Sequence, residues 1–150
     1  MKVGGGLSDE KGATRETARC GREDYGRGTG LHLNRLKMKQ NIHIAWDLPQ
    51  LDLTERLKEM VKYVKPYKIT CYVLIGFNST VEQDLFRLNV LRELGITPFV
   101  IPFRDYGNER TPTQYERDLA RWANRMWLFK SSSFEDYTPR KGFKCGEYLK

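Results

Sequence analysis

From Asn41 onward the chain falls into alternating apolar runs and amphipathic stretches. Ile42-His43-Ile44-Ala45-Trp46 is short, apolar and rich in β-branched residues, and Asp47-Leu48-Pro49 ends it, so it predicts a buried strand. Asp52-Leu53-Thr54-Glu55 then offers an N-cap with an acidic residue three positions later. Leu53, Leu57, Met60, Val61 and Val64 follow at helical spacing, and Lys65-Pro66 stops the helix. Lys68 to Ile75 is almost continuously apolar, which predicts a central parallel strand buried on both faces. Gly76-Phe77-Asn78 makes a turn, and Ser79-Thr80-Val81-Glu82 reads as a second capping box. The helix after it should carry Val81, Leu85, Leu88, Leu91 and Leu94 inward and end at Gly95. Thr97 to Phe103 is a third strand.

The strand centres fall near Ile44, Tyr72 and Val100, 28 residues apart each time. A fixed period holding one strand and one helix marks repeated βα units. Crossovers of that length impose parallel pairing. The expected fold class is therefore α/β, an incomplete parallel (βα) partial barrel or small open sheet of about three βα units. A closed eight-stranded barrel needs about 200 residues or more, so an edge strand and an open side should remain. Beyond Thr111 the sequence predicts one helix, with Tyr115, Leu119, Trp122, Ala123 and Met126 at helical spacing, followed by an aromatic strap through Tyr137 and a flexible tail over residues 139–150.

Residues 1–38 differ. The first 40 positions hold eight of the 13 glycines and carry nine Lys/Arg against five Asp/Glu, with no apolar period. Glycine costs backbone entropy and brings nothing to bury, so this segment is expected to be disordered. Gly26-Arg27-Gly28-Thr29-Gly30 resembles a phosphate-cradling loop only in composition, since no strand precedes it and no Gly-Lys-Ser/Thr follows. The domain proper is read as residues 39–138.

Net charge is +7. That allows phosphate contacts, and Arg117, Arg121 and Arg125 at i, i+4 and i+8 could make a nucleic-acid face together with the Arg/Gly tail; a solvated basic surface explains the same pattern. The beginning of the chain lacks the apolar core of a signal peptide, and no run reaches about 18 apolar residues, so a cytoplasmic protein without a membrane span is expected. Cys20, Cys71 and Cys145 are too sparse for a disulfide framework, and their spacing matches no local metal motif. Cys71 reads as a core residue. His43, in mid-strand, reads as a core or interface histidine rather than a base, and His32 carries no signal.

Ligands of parallel sheets bind at the carboxyl ends of the strands. Three segments gather there: Trp46-Asp47, Gly76-Phe77-Asn78-Ser79-Thr80, and Phe103-Arg104-Asp105-Tyr106. Gly76 would let a ligand approach the backbone, and the helix N-terminus after it offers free N–H groups to an anion. Ser79 and Thr80 could equally be simple caps, and Asp47 a turn residue.

Asn41 to Asp47, Tyr72 to Asp84 and Leu91 to Val100, with the later Ala120-Arg121-Trp122-Ala123-Asn124-Arg125, Phe129-Lys130-Ser131 and Phe134-Glu135-Asp136-Tyr137, resemble in order the C-terminal half of radical S-adenosylmethionine (radical SAM) proteins of a short bacterial and phage-associated type. The resemblance covers about residues 40–138 and implies a partial βα barrel. Gly76 matches the second glycine of the family's fifth-strand motif and Leu74 its aliphatic position, whereas Tyr72 replaces the first glycine and Ser79 the glutamate. Asp47 matches a polar position that meets the ribose or methionine part of the cofactor, and Val100 and Ile101 match the strand flanking the adenine. The resemblance thus implies an S-adenosylmethionine site drawn from Asp47, Gly76, Asn78, Ser79, Thr80, Val100 and Ile101.

The three-cysteine loop that holds the family's [4Fe–4S] cluster has no counterpart in this sequence. The expected function is accordingly a truncated radical SAM enzyme, the adenosylmethionine-binding half, inactive alone. The alternatives are a basic α/β module that binds RNA or a protein, and an active enzyme completed by a cluster-bearing partner chain. Self-association through the open sheet edge is a further possibility for a fold of this kind.

Overall fold

A computed structural model describes residues 41–150. The expectations for residues 1–38, including the Gly26–Gly30 loop, His32 and Cys20, lie outside the described residues. In chain order the elements are β1 (Ile42–Ala45), α1 (Thr54–Tyr63), β2 (Ile69–Ile75), α2 (Val81–Leu94), β3 (Thr97–Pro102), α3 (Gln114–Ala123) and α4 (Met126–Ser131), with short 3₁₀ turns at Pro66–Lys68 and Cys145–Leu149. The three strands form one open sheet in the order β1-β2-β3, parallel throughout. Partners stand 27 positions apart in both pairs, Ile42 with Ile69 and Thr70 with Thr97, so the sequence period is one residue longer than the true register.

Sequential strand order with crossovers of one hand places every helix on the same face of a sheet. Burial follows that rule. Ile69, Cys71, Val73 and Ile75 of β2 are fully buried, whereas Thr70, Tyr72 and Leu74 between them are only half-buried. The expectation that β2 is buried on both faces is therefore corrected. A continuous apolar run cannot reveal that its second face lacks a covering layer. On that face His43 packs by Tyr72 (ring centroids 5.6 Å apart), Tyr72 by Phe99 (5.3 Å), and Phe99 and Ile101 are 47% and 41% exposed.

On the covered face the core unites Leu57, Leu88, Leu91, Ile96, Leu119, Trp122, Phe129 and Phe134 with the buried side of the strands. Helix α2 turns its leucines inward as expected, Leu88 and Leu91 fully and Leu85 and Leu94 in part, together with two charged residues that the spacing does not single out. Asp84, Arg87, Leu88, Val90 and Leu91 are buried, while Val81, Leu85 and Leu94 are half-exposed. Its cap is shifted by one residue: Thr80 accepts the Gln83 N–H, and the Gln83 side chain accepts the Thr80 N–H. Gly95 ends it as expected, at φ 73° with its N–H on the Arg92 carbonyl. Helix α1 starts one residue later than expected: Leu53 is its N-cap, without a side-chain cap bond, and Asp52 just before it accepts the Thr54 N–H and hydroxyl.

The single C-terminal helix resolves into two. Thr113 and Glu116 form a capping box that starts α3, which ends before Asn124, and α4 restarts at Met126. The aromatic strap packs as expected, with Phe129, Phe134 and Tyr137 buried. Residues 139–150 are docked rather than a flexible tail. Arg140 and the Tyr148 hydroxyl both donate to the fully buried Asp118 carboxylate (2.9 Å each), and Cys145 is buried beneath them. Their anchor is an ion held 22 positions away in sequence, which local composition cannot disclose. Among the described residues no helix is long and apolar enough to cross a membrane.

Candidate functional site

The carboxyl end of the sheet is built by hydrogen bonds that extend the β1–β2 ladder past its last residue. Trp46 N–H donates to the Tyr72 carbonyl (2.8 Å), and Leu74 N–H donates to Asp47 Oδ1 (3.3 Å). The carbonyls of Trp46 and Leu74 are both taken by Arg87, at 2.6 and 3.0 Å. Arg87 is 1% exposed and also bonds Asp84 Oδ1 at 2.6 Å. One guanidinium of α2 thus ties together the ends of two strands, and a planar fork with five donors is the side chain suited to it. Burial raises the Asp84 carboxyl above its usual range, opposed by hydrogen bonds from Ser79 and Arg87.

Gly76 lies at φ 73°, where a side chain is strained. Its N–H donates to Ser79 Oγ (3.1 Å). The space that a Cβ would fill is taken by the Glu116 carboxylate, with the Arg110 guanidinium 2.9 Å from the same point. Glu116 accepts Arg110 Nη2 at 2.7 Å and the Thr113 N–H at 3.0 Å, and Arg110 Nη1 donates to the Phe103 carbonyl. The glycine therefore permits close approach, as the sequence suggests, but the group that approaches is the protein's own carboxylate. Tyr115 completes the cluster. Its hydroxyl is buried with no hydrogen-bond partner among the described residues, and burial, then Asp84, Glu82 and Glu116, push it well above its ordinary range.

The sequence-derived site residues separate into groups. At the end of β2, Asp47 accepts the Leu74 N–H and Ser79 accepts the Gly76 N–H. Asn78 is exposed at φ 52°, completing the turn, and Thr80 is engaged in the α2 cap. Ile101 faces the open side of the sheet. Val100 does not: its side chain is 2% exposed on the helix side, its N–H donates to Asn124 Oδ1 (2.7 Å), and its carbonyl accepts Asn124 Nδ2 (2.9 Å). The adenine contact expected of Val100 thus has neither side chain nor backbone free. Strand alternation separates adjacent residues onto opposite faces, so Val100 and Ile101 could not share one site.

Arg117, Arg121 and Arg125 are exposed. Only the first two lie on α3; Arg125 is the N-cap residue just before α4. Arg121 and Arg125 border a shallow groove with Trp127, Leu128 and Ser132, without Arg117. The residues missed by sequence reasoning are Asp84, Arg87, Arg110, Tyr115, Glu116 and Asn124. A charged pair at i, i+3 inside an otherwise apolar helix stripe was the one available signal for Asp84 and Arg87.

Among the described residues no three metal-ligating side chains cluster, and burial pushes the Cys71 and Cys145 thiols up to about 12 and about 11. Asp47 and Asn78 are exposed, the rings of Phe77 and Phe103 pack against each other (4.7 Å), and the space over Gly76 is filled. No family model, curated protein or solved structure matches the chain.

Proposed function

We propose that this chain is the adenosylmethionine-side half of a radical SAM partial barrel, without activity by itself. The observation that carries the reading is the one-sided sheet. Three parallel strands in sequential order, every helix on one face and an apolar second face are what a sector of a βα barrel presents when the rest of the barrel is absent. A doubly wound sheet would reverse its strand order and carry helices on both faces. The loops at the carboxyl ends, with Asp47, Asn78 and the Phe77–Phe103 pair, supply the polar and flat apolar groups that a nucleoside-bearing ligand needs.

Anaerobic reconstitution with iron and sulfide tests the proposal. The isolated chain should develop no four-iron absorption band and release no 5′-deoxyadenosine from adenosylmethionine. Formation of either product would overturn it.

A further inference from the structure

The break between α3 and α4 brings two kinds of side chain together on the surface. Asn124 ends α3, and its amide is committed to the Val100 backbone. The chain turns there, and Arg125 stands in extended conformation before α4 begins. Arg121 in the last turn of α3 and Trp127 in the first turn of α4 lie on either side of this turn. Together with Arg125 and residues of the strap they border a shallow groove of about 630 Å³.

The cations of this groove are not committed to the fold. Arg121 comes only within 3.9 Å of Asp118 Oδ1, and that carboxylate already accepts Gln114, Arg140 and the Tyr148 hydroxyl at 2.9 Å each. Arg125 has no ion-pair partner among the described residues. One carboxylate lines the groove, Asp136, and it accepts the Ser133 hydroxyl and lies 3.9 Å from Lys144. The groove therefore keeps an excess of positive charge, carried by guanidinium groups, whose paired N–H donors match phosphate oxygens.

Trp127 is uncommitted in the same way. Trp46 and Trp122 are 1% and 0% exposed, whereas Trp127 is 68% exposed. Its ring has no aromatic or cationic partner among the described residues. One exposed apolar side chain is ordinary on a protein surface. An indole that shares a groove with two uncommitted guanidiniums offers more: a face for a base and charges for the adjoining phosphates. An acidic peptide would use the charges and leave the indole idle. A groove this shallow does not enclose a small ligand as a closed pocket does, but it suits an extended chain whose backbone stays partly in water. A duplex keeps its bases stacked on one another and presents no base face to the indole.

We propose that this groove binds single-stranded nucleic acid, with Trp127 stacked on a base and Arg121 and Arg125 on the phosphates beside it. The groove shares no residue with the carboxyl ends of the strands, so such binding neither needs nor excludes the half-barrel reading.

Titration of the full chain with a short single-stranded oligouridylate at low ionic strength tests this. The other two indoles are buried, so stacking should quench the emission of Trp127 selectively. Affinity, followed by the anisotropy of a labelled oligonucleotide, should fall as salt rises. Arg121→Gln together with Arg125→Gln should flatten the slope of log K against log salt by about 1.4, two phosphates at about 0.7 each. Trp127→Leu should weaken binding about fivefold or more and leave that slope as it is. All three side chains are exposed, and unchanged circular dichroism and unfolding midpoint establish that the variants fold. Absence of binding, binding without quenching, or binding indifferent to the arginines or to the tryptophan overturns the proposal. So does equal affinity for a duplex, for polyphosphate or for polyglutamate, because each of these supplies negative charge without an exposed base.

Discussion

Asn124→Ala should destabilise the protein by about 1–3 kcal/mol, because the amide makes two hydrogen bonds of about 0.5–1.5 kcal/mol each to one backbone residue. Both bonds are short, 2.7 Å from the Val100 N–H and 2.9 Å to its carbonyl. Val100 is held with its side chain in the core, so its peptide groups cannot turn to find other partners. Water can reach part of this edge, since Asn124 itself is exposed, which keeps the figure below the full cost of burying two unsatisfied groups. Equilibrium urea unfolding measures it. With a slope of about 2 kcal/mol/M, the midpoint should fall by about 0.5–1.5 M at unchanged slope. Asn124→Asp sharpens the test. Its carboxylate can still accept the Val100 N–H but sets a charge against the Val100 carbonyl, so it should do no better than alanine. A midpoint shift under about 0.2 M for alanine, or an aspartate variant as stable as wild type, would refute the clamp.

Gly76→Ala and Gly95→Ala make a matched pair, because both glycines have φ 73°. The left-handed conformation alone costs an alanine about 1–2 kcal/mol, which is what Gly95→Ala should show, with its nearest neighbour Pro66 at an ordinary 3.5 Å. Gly76→Ala should cost at least about 1–2 kcal/mol more by displacing Glu116 from Arg110 and Thr113, and equal losses in denaturant unfolding would contradict the close approach. Alkaline pH should weaken the fold through the thiols. Their folded-state values lie above the ordinary one near 9.0, so this stabilisation is fully present below about pH 9 and is lost as pH rises toward about 11 for Cys145 and about 12 for Cys71. At about pH 10 each thiol should account for about 1.4 kcal/mol of lost stability, and a Cys71→Ala variant should lose less between neutral pH and pH 10 than the wild type.

Much of the fold was legible because strand and helix periods are local. The apolar runs at Ile42, Ile69 and Thr97, the helices between them and the Gly95 stop follow from spacing and capping chemistry alone. Parallel pairing followed from crossover length. The site was legible only in outline. Asp47, Gly76 and Ser79 could be placed at strand ends, but what each one touches depends on Arg87, Arg110 and Glu116, whose charges look in sequence like solvent-facing ones. A buried ion is distinguishable from a surface ion only by its partners. For Arg87 these are carbonyls 41 and 13 positions away; for Arg110 they are Phe103, seven away, and Glu116, six away.

The sequence by itself thus determined a parallel α/β sheet in three repeats, because residue periodicity and connection length act along the chain. Tertiary structure alone decided that one sheet face stays uncovered among the described residues, that Glu116 fills the space over Gly76, and that Asn124 clamps the Val100 backbone. Each of those depends on which distant groups meet a given backbone donor or acceptor, and hydrogen bonds between remote residues leave no period in the sequence.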